Sequence, residues 1–345
     1  MSRQQVIPRL RAEGYARHAL HADDRLWVEK NCYVDVVIEL LHSLGLEPLA
    51  AMGFCAEVNF EGDNFTFFKP DHEELRSLFG IDFQELNVWR PLIEHAREHL
   101  GAGKFISTEA NAFWLPDTAG TDYRRNHVKT TIILADLDAH AKHLGYFHNA
   151  GYHELSGEDF DRTFRVEAVP DPTVLPLFAE LVRIDRLVRR PSDELARLAL
   201  SRLAVHLSRR PAENPVARWS ARFAQELPRM QEIGLAHYHA WAFATTRQLG
   251  ASMELLAAHL QWLAESGVAP GLALPAGDFL RLSEGAKTFI LKAARAVNSK
   301  KPLDATLLFA DMAGAWDAGM AALVPYLPAV AGGAAEPAAP SHARA

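Results

Sequence analysis

The chain changes character near residue 166, and this change constrains its fold more than any other feature. Before that point, short runs rich in β-branched and aromatic residues alternate with turns, among them FISTEANAFWLP, HVKTTIILADL and LGYFHNAGYHEL. After it, long Ala- and Leu-rich segments repeat their apolar residues with the period of a helix. Since 49% of the residues are hydrophobic and 23% are charged, as in globular proteins, the sequence predicts an α+β domain followed by a mostly α-helical domain.

The same pattern predicts where the parts begin and end. We expect an N-terminal extension over 1–24, the α+β domain over 25–165, the helical domain over 166–325 and a disordered tail over 326–345. The first domain should contain a helix over 31–46, two short strands within 57–70, and a helix over 82–101 that Pro91 divides. The predicted helices of the second domain are 174–190, 192–207, 216–233, 235–265, 277–298 and 305–323.

Charge and composition exclude several classes of function. The net charge of −7 argues against binding to nucleic acid or to anionic membranes. The sequence has no run of about 18 apolar residues, and charges are spread through its first 24 residues, so it predicts neither a membrane span nor a secretory signal. Cys32 and Cys55 are too few for a disulfide framework, and we expect reduced thiols in a cytoplasmic protein.

Cys32 carries the strongest sign of chemistry in the sequence. It follows Asn31, a residue type that caps helices, and is therefore predicted in the first turn of the 31–46 helix. The unpaired N–H groups of a helix N-terminus favour a thiolate and can bind an oxyanion, which suits a nucleophile. Asn31 is then a candidate orienting or oxyanion group. The alternative is a small buried hydrophobe, the usual environment of a free cysteine.

A thiol nucleophile needs a base and a group that holds the base. His127 begins a predicted strand directly after a polar loop, and the next strand carries His148 and Asn149. An Asn oxygen that accepts from one imidazole nitrogen leaves the other nitrogen facing the thiol. The order Cys32, His127, Asn149 is that of papain-like enzymes, although in a chain with 16 histidines some His always follows some Cys.

The loop before His127 supplies further candidates. Its polar residues are equally consistent with substrate contacts and with a plain connection between strands: Asp117, Asp122, Tyr123, Arg124 and Arg125. His95 and His99 share a helix face, but Ala96 replaces the Glu of the HExxH zinc motif. The sequence has no Walker motif, no GxGxxG after a strand and no GxSxG, so it predicts no metal, no cofactor and no serine nucleophile.

Two known families resemble this chain. The segment over 102–155 looks like the core of the butirosin-biosynthesis (BtrH-like) acyltransferases, in which an acidic–aromatic–Leu-Pro strand end precedes a loop, a His-led strand and a strand carrying Asp. Over about 25–325 the chain is also similar to a bacterial family known as domain of unknown function 1839. The stretches that carry this second resemblance are NCYVDVVIELLHSLGL, FEGDNFTFFK, ELNVWRPL, LPDTAGTDYRRNH and YFHNAGY.

The first resemblance implies a papain-like core with Cys32 as nucleophile, His127 as base and Asn149 as orienting group. The chain departs from that family at Asn149, where papain-like enzymes also use Asn, and at Asn111, where the pattern has Asp. The implied function is a thiol-dependent acyltransferase that passes an acyl or aminoacyl group through Cys32 to an amine. A cysteine peptidase or amidase with the same triad and a non-catalytic binding module are the alternatives.

The implied donor is a phosphopantetheinyl carrier protein or a CoA thioester, and the implied acceptor is a small-molecule amine. Because carrier proteins are acidic, their docking surface needs a basic rim. The residues expected to form this rim are Arg124, Arg125, Lys129, Arg186, Arg189, Arg190, Arg209 and Arg210. Asn111 and the polar loop residues are the candidate substrate contacts. The sequence leaves the oligomeric state open.

Overall fold

A single antiparallel sheet organises the first half of the molecule. The computed structural model describes residues 3–166 and 175–327. The strands are β1 (Gln4–Gln5), β2 (Asp82–Glu85), β3 (Phe105–Asn111), β4 (Lys129–Asp138), β5 (His143–His148), β6 (Gly151–Ser156) and β7 (Ala179–Arg183). Their order across the sheet is β2–β7–β3–β4–β5–β6, and β1 pairs with the C-terminal end of β4.

Helices cover the sheet and form most of the described chain after residue 191. Four precede the last strand: α1 (Cys32–Ser43), α2 (His72–Phe79), α3 (Leu92–Gly101) and α4 (Glu158–Phe164). The others are α5 (Ser192–Ser208), α6 (Pro215–Ile233), α7 (Leu235–Ala242), α8 (Gln248–Glu265), α9 (Ala273–Ser299) and α10 (Thr306–Leu323). A 3-10 segment, Pro48–Glu57, follows α1, and a π-helical turn, Phe243–Arg247, joins α7 to α8. The predicted α+β class with a helical C-terminal region is confirmed.

The two faces of the sheet bury different sets of side chains because successive residues of a strand point to opposite sides. On β4, Ile133 and Ala135 face the core that contains α1, and we call this side the α1 face. Ile132 and Leu134 face a second core that contains α3 and α4, and we call this side the α4 face. Asn111, the last residue of β3, pairs with Lys129, the first residue of β4, and we call this end of the two strands the open end of the sheet. The alternation assigns each polar residue there to one of the two faces.

The helical region shares its core with the α1 face. Trp219 of α6 is fully buried, and its ring lies 5.8 Å from that of Phe65 and 4.9 Å from that of Phe309. Trp27 donates its indole N–H to Ser283 of α9 at 3.0 Å. Aromatic side chains of this size dominate core energetics. The C-terminal helices and the sheet domain are therefore held together by one continuous apolar core.

Two predicted helices contain strands instead. The segment over 174–190 forms β7 at Ala179–Arg183, and the first half of the 82–101 segment forms β2; residue 174 itself lies outside the described residues. The two strands pair with each other over four residues, and β7 also pairs with β3. Such short segments carry too little periodicity to separate strand from helix, and sheet pairing decides. The sheet consequently extends to residue 183, beyond the predicted boundary at 165.

Other elements agree with the sequence more closely. The 31–46 prediction corresponds to α1, and the predicted break at Pro91 is the N-cap of α3. The 57–70 segment forms only an isolated bridge between Phe60 and Phe65 rather than two strands. LGYFHNAGYHEL forms two strands, β5 and β6. The predicted disordered tail lies outside the described residues from position 328 on.

One described helix is long and apolar enough to cross a membrane by length and composition. It is Thr306–Tyr326, α10 with the turn that follows, at a mean hydropathy of 1.4. The sequence did not predict this candidate, because Asp311 and Asp317 interrupt its apolar residues. The opposite side of the helix, with Met312 and Trp316, is buried in the large core. Core helices of soluble proteins pass the same test.

Candidate active site

The N-terminus of α1 is closed by a side chain, as the sequence predicts. Asn31 Oδ1 accepts the backbone N–H groups of Tyr33 and Val34 at 3.1 and 3.0 Å. Its amide nitrogen donates to the carbonyl of Phe68 at 2.8 Å. Both ends of the side chain are therefore used to cap the helix and to hold the neighbouring loop. The expected oxyanion role does not fit Asn31, since its donor already has a partner.

Cys32 is the first residue of α1 and is only half-buried. Its thiol donates to the hydroxyl of Thr131 on β4, with 3.6 Å between sulfur and oxygen. Among the described residues, the backbone N–H of Cys32 has no hydrogen-bond acceptor. Cys55, by contrast, is fully buried, and burial raises the pKa of its thiol. Cys32 is thus the one of the two thiols that a reagent or substrate can reach.

A cavity of about 350 Å³ lies on the α1 face next to Thr131, and we call it the thiol-side pocket. Two phenylalanines at its mouth, Phe67 and Phe178, are 44% and 47% exposed. Exposed aromatic groups at the edge of a concave site are typical of ligand pockets. The remaining residues that line it are Tyr33, Lys69, Ser107, Thr108, Glu109, Lys129, Thr131 and Glu180.

A buried carboxylate forms the polar floor of the thiol-side pocket. Glu180 accepts hydrogen bonds from Tyr33 at 3.1 Å and from Ser107 at 3.2 Å, and His72 Nε2 lies 3.2 Å from it. Burial, followed by the Glu180 charge, raises the pKa of Tyr33 well above its ordinary value. Tyr33 is therefore a neutral donor at physiological pH, and the floor is a fixed set of dipoles around one negative charge.

His127 lies at the same open end of the sheet but has other partners. The ring is exposed, stacks on Phe113 with 4.4 Å between centroids, and places Nδ1 2.9 Å from the amide nitrogen of Asn111. Four residues separate His127 from Thr131, which is about 13 Å of extended chain. Within the described residues, no hydrogen bond joins the imidazole to the Cys32 sulfur. The structure thus brings Cys32 to Thr131 and His127 to Asn111.

The contacts of Asn111 determine which nitrogen of His127 carries the proton. Asn111 Oδ1 accepts the N–H of Phe113 at 3.1 Å, so the amide nitrogen faces the imidazole. An amide nitrogen only donates, and Nδ1 must therefore accept. The neutral ring then holds its proton on Nε2, which makes the outward nitrogen a donor. In this arrangement His127 is suited to stabilise negative charge rather than to act as the predicted base.

Among the described residues, no hydrogen bond joins Asn149 to the imidazole of His127. Because His148 and Gly151 pair, Asn149 and Ala150 form the two-residue connection between β5 and β6. The φ angle of Asn149 is 45°, in the left-handed region that Asn tolerates better than most residues. This position was predicted to carry the third member of a triad, and its residue type instead fits the demands of the turn. Asn111 is the residue whose side chain lies within hydrogen-bond distance of the His127 ring.

Changing Asn111 to Asp is expected to reverse the tautomer of His127. A carboxylate accepts from Nδ1–H, whereas the amide donates to Nδ1, so the ring proton should move from Nε2 to Nδ1. ¹⁵N NMR of the imidazole nitrogens distinguishes the two forms. Asn126→Asp, a similar change in the preceding loop, should leave the wild-type tautomer in place. A wild-type ring already protonated at Nδ1 would contradict the assignment.

Asp117, a candidate substrate contact in the sequence, binds a buried histidine. It accepts hydrogen bonds from His148 Nδ1 and Tyr146 Oη, both at 2.5 Å, and His148 Nε2 lies 2.8 Å from the hydroxyl of Thr130. Burial alone would raise the pKa of Asp117, but His148 and Tyr146 hold it below its ordinary value. His148 and Thr130 are buried on the α4 face, and the side chain of Asp117 is 7% exposed. These contacts fasten the loop to the sheet. Because Tyr146 and His148 are two residues apart on β5, both point to the α4 face, and this alternation could have identified His148 as a partner of Asp117.

The remaining loop residues mostly bind the protein itself. Tyr123 donates to Asp159 at 2.8 Å, and Arg124 donates to the same carboxylate at 2.6 Å while covering the ring of Trp114. Asp122 accepts from Asn126 at 3.2 Å, and Arg125 is exposed. The loop predicted to contact substrate is therefore packed on α4.

Replacing Asp117 with Asn should destabilise the fold by about 3 kcal/mol, because it removes the charge that a buried imidazole faces. Urea denaturation of wild type and variant measures this difference in the free energy of unfolding. Asp122→Asn is the matched control in the same loop, where we expect less than about 0.5 kcal/mol. Equal effects at the two positions would contradict the role given to Asp117.

The predicted basic rim is largely committed to other contacts. Arg189 and Arg190 donate to backbone carbonyls of Leu44 and Leu78, and Arg209 lies near Glu57. Lys129 is the member of the predicted rim that lines the thiol-side pocket, and its ammonium group lies 3.2 Å from the carboxylate of Glu109. The rings of His95 and His99 stack 6.1 Å apart. The described residues contain no group of three or more His, Cys, Asp or Glu side chains placed to hold a metal ion.

Comparison with known protein families covers most of the chain. The DUF1839 N-terminal domain matches residues 16–184, and the DUF1839 C-terminal domain matches residues 192–325. The chain belongs to the DUF1839 family. The match to the N-terminal family domain ends at residue 184, directly after β7. The family's domain boundary therefore agrees with a sheet that ends at Arg183. No curated protein matches the chain.

Proposed function

We propose that this DUF1839 protein transfers acyl groups by way of a thioester on Cys32. The observation that carries the proposal is the position of this thiol. It is half-exposed at a capped helix N-terminus, its own backbone N–H is free of acceptors among the described residues, and its partner Thr131 lines a pocket of about 350 Å³. A reachable thiol beside an N–H donor and a pocket is the minimum that thioester chemistry requires.

The reaction begins with attack of the Cys32 thiolate on the carbonyl carbon of a donor thioester. A new C–S bond forms and the carbonyl oxygen takes the negative charge. The C–S bond of the donor then breaks, and the donor sulfur leaves as a thiolate that takes up, through solvent, the proton that the Cys32 thiol lost. We assign the binding of that oxyanion to the backbone N–H of Cys32, which has no acceptor among the described residues. An amine then attacks the acyl-Cys32 carbonyl, a C–N bond forms, and the Cys32 sulfur leaves and regains a proton from the amine.

In this proposal His127 acts as a hydrogen-bond donor through Nε2–H and not as a base. With Nδ1 accepting from Asn111, its Nε2–H points away from that amide at the open end of the sheet. Such a donor can bind an anionic group of the donor thioester that lies away from the reacting carbonyl. The thiolate itself comes from the Cys32 thiol that now donates to Thr131. A papain-like arrangement of the core remains part of the proposal, based on the BtrH-like resemblance of the chain.

The pocket indicates which donors fit. Phe67 and Phe178 offer an apolar mouth, while Lys69 and Lys129 place two cations next to it. A phosphopantetheine arm has both a flexible chain and a phosphate, as carrier-protein and CoA thioesters do. We propose such a thioester as donor and a small-molecule amine as acceptor, and we place the reaction in the cytoplasm, where thiols stay reduced.

Two alternatives use the same residues. With water in place of the amine the protein is a thioesterase, and with an amide also in place of the thioester donor it is a peptidase or amidase, in which an amine leaves; the geometry of Cys32 permits both equally. A non-catalytic binding module is favoured by one observation, the hydrogen bond of the thiol to Thr131 instead of an imidazole.

The experiment compares thioesters of CoA, N-acetylcysteamine and a phosphopantetheinylated carrier protein, each carrying glycyl or octanoyl groups, with an amine acceptor present. Mass spectrometry of small products separates acylated amine from free acid. Acylated amine supports transfer, and free acid alone supports hydrolysis. Donor binding without turnover of any thioester would overturn the enzymatic proposal in favour of the binding module.

A further inference from the structure

A second cavity, of about 270 Å³, lies at the α4 face and is separate from the thiol-side pocket. We call it the Asp161 pocket. Leu177 borders this cavity whereas its neighbour Phe178 borders the thiol-side pocket, because successive residues beside β3 point to opposite faces. The described residues that line it are Ala110, Asn111, Trp114, Asp161, Arg162, Thr163, Arg165 and Leu177.

Two polar atoms in the wall of this pocket lack partners. Asp161 is only 5% exposed; its Oδ2 binds Lys142 at 2.5 Å, but its Oδ1 is buried without a hydrogen bond. The hydroxyl oxygen of Thr163 is also buried and without a partner. Buried polar groups are almost always paired, and a carboxylate oxygen left alone is expensive. Both atoms therefore indicate a group, absent from the described protein, that donates hydrogen bonds to this wall.

The rest of the lining favours an anionic group and an apolar group in the same ligand. Arg162 and Arg165 are exposed cations at the pocket. The described lining therefore contains two guanidinium groups and one carboxylate, that of Asp161. Trp114 and Leu177 supply apolar surface, and Arg162 lies 5.4 Å from the centre of the Trp114 ring. Guanidinium groups bind carboxylates in a bidentate manner.

We propose that the Asp161 pocket binds a free α-amino acid. The ammonium group donates to Asp161 Oδ1 and to Thr163, the carboxylate pairs with Arg162 or Arg165, and the side chain lies on Trp114 and Leu177. A metal ion fits less well, because among the described lining residues Asp161 is the only carboxylate and it is already paired with Lys142. This inference does not rest on the acyl-transfer proposal, since the two pockets lie on opposite faces of the sheet.

Calorimetric titration of the full chain tests the proposal. Each of the twenty L-amino acids is first screened by thermal shift, and the best one is titrated beside its N-acetyl and carboxamide derivatives. We expect binding of the free amino acid and at least a tenfold weaker affinity for each derivative, because one removes the ammonium and the other the carboxylate.

Two variants locate the site. Asp161→Asn should weaken binding at least tenfold, and Thr163→Val should weaken it by a smaller factor. Asp122→Asn makes the same Asp-to-Asn change in the loop before β4, outside the described pocket lining, and should keep the affinity within about twofold. Circular dichroism verifies that each variant is folded. If no amino acid binds, or if Asp161→Asn binds as tightly as wild type, the wall atoms are satisfied by ordered water only and the proposal fails.

Discussion

Cys32→Ala is expected to abolish both alkylation by iodoacetamide near neutral pH and formation of an acyl adduct. The thiol is the half-exposed one of the pair, and removing a covalent nucleophile costs about three or more powers of ten in rate. The fold should remain intact, because Cys32 lies in the first turn of α1 and the Asn31 cap does not use its side chain. Peptide mapping after alkylation and single-turnover rates measure the two losses.

Cys55→Ala is the matched control for that experiment. Its thiol is fully buried and burial raises its pKa, so this variant should be alkylated and acylated at wild-type rates. The roles assigned to the two cysteines would be refuted by labelling that persists in Cys32→Ala and disappears in Cys55→Ala.

The second large effect concerns His206, which links the two family domains. It is fully buried on α5, with Nδ1 2.6 Å from Glu57 and Nε2 3.0 Å from Glu74. Burial alone would lower its pKa, but the two carboxylates raise it from 6.5 to about 9. The imidazolium is therefore part of the folded structure at neutral pH, where it bridges elements on either side of the domain boundary.

The free energy of unfolding should fall as the pH rises from about 6.5 to about 9. The folded pKa lies above the unfolded value, so the contribution of His206 is complete below about pH 6.5 and is lost as pH approaches 9. A shift of this size corresponds to about 3 kcal/mol in the free energy of unfolding. Urea denaturation of the wild type from pH 6 to 9.5 measures the decline.

His206→Gln isolates this residue from the other groups that titrate in the same range. The variant should lose about 3 to 5 kcal/mol at pH 6.5, because Glu74 then faces no buried cation except Arg202. Its stability should also change less between pH 6.5 and 9 than that of the wild type. Parallel pH profiles for the two proteins would show that His206 does not carry the effect.

Periodicity predicted the long helices of this fold but failed for the short strands β2 and β7. The helices α5, α6, α8, α9 and α10 each have several turns, so their apolar stripes identify them. The strands β2 and β7 have four and five residues and lie next to each other in the sheet. Their state depends on pairing with each other, and no local pattern contains that information.

Local chemistry predicted the helix cap but not the partners of the side chains around it. The Asn31–Cys32 arrangement follows from residue types that are adjacent in sequence. The contact between Asn111 and His127 depends on the register of β3 against β4, and the bond from His148 to Asp117 depends on the path of the intervening loop. The triad taken from chain order and the BtrH-like resemblance therefore included Asn149, a residue type that fits the positive φ of the hairpin turn.

The most direct test of the account is the intact mass of the protein after incubation with an acyl thioester, followed by peptide mapping. We expect one added acyl group, located on the peptide that contains Cys32 and released by hydroxylamine, as a thioester is. An unmodified chain that nevertheless binds the donor, or an acyl group found at any other residue, would contradict the claim that Cys32 carries the acyl group.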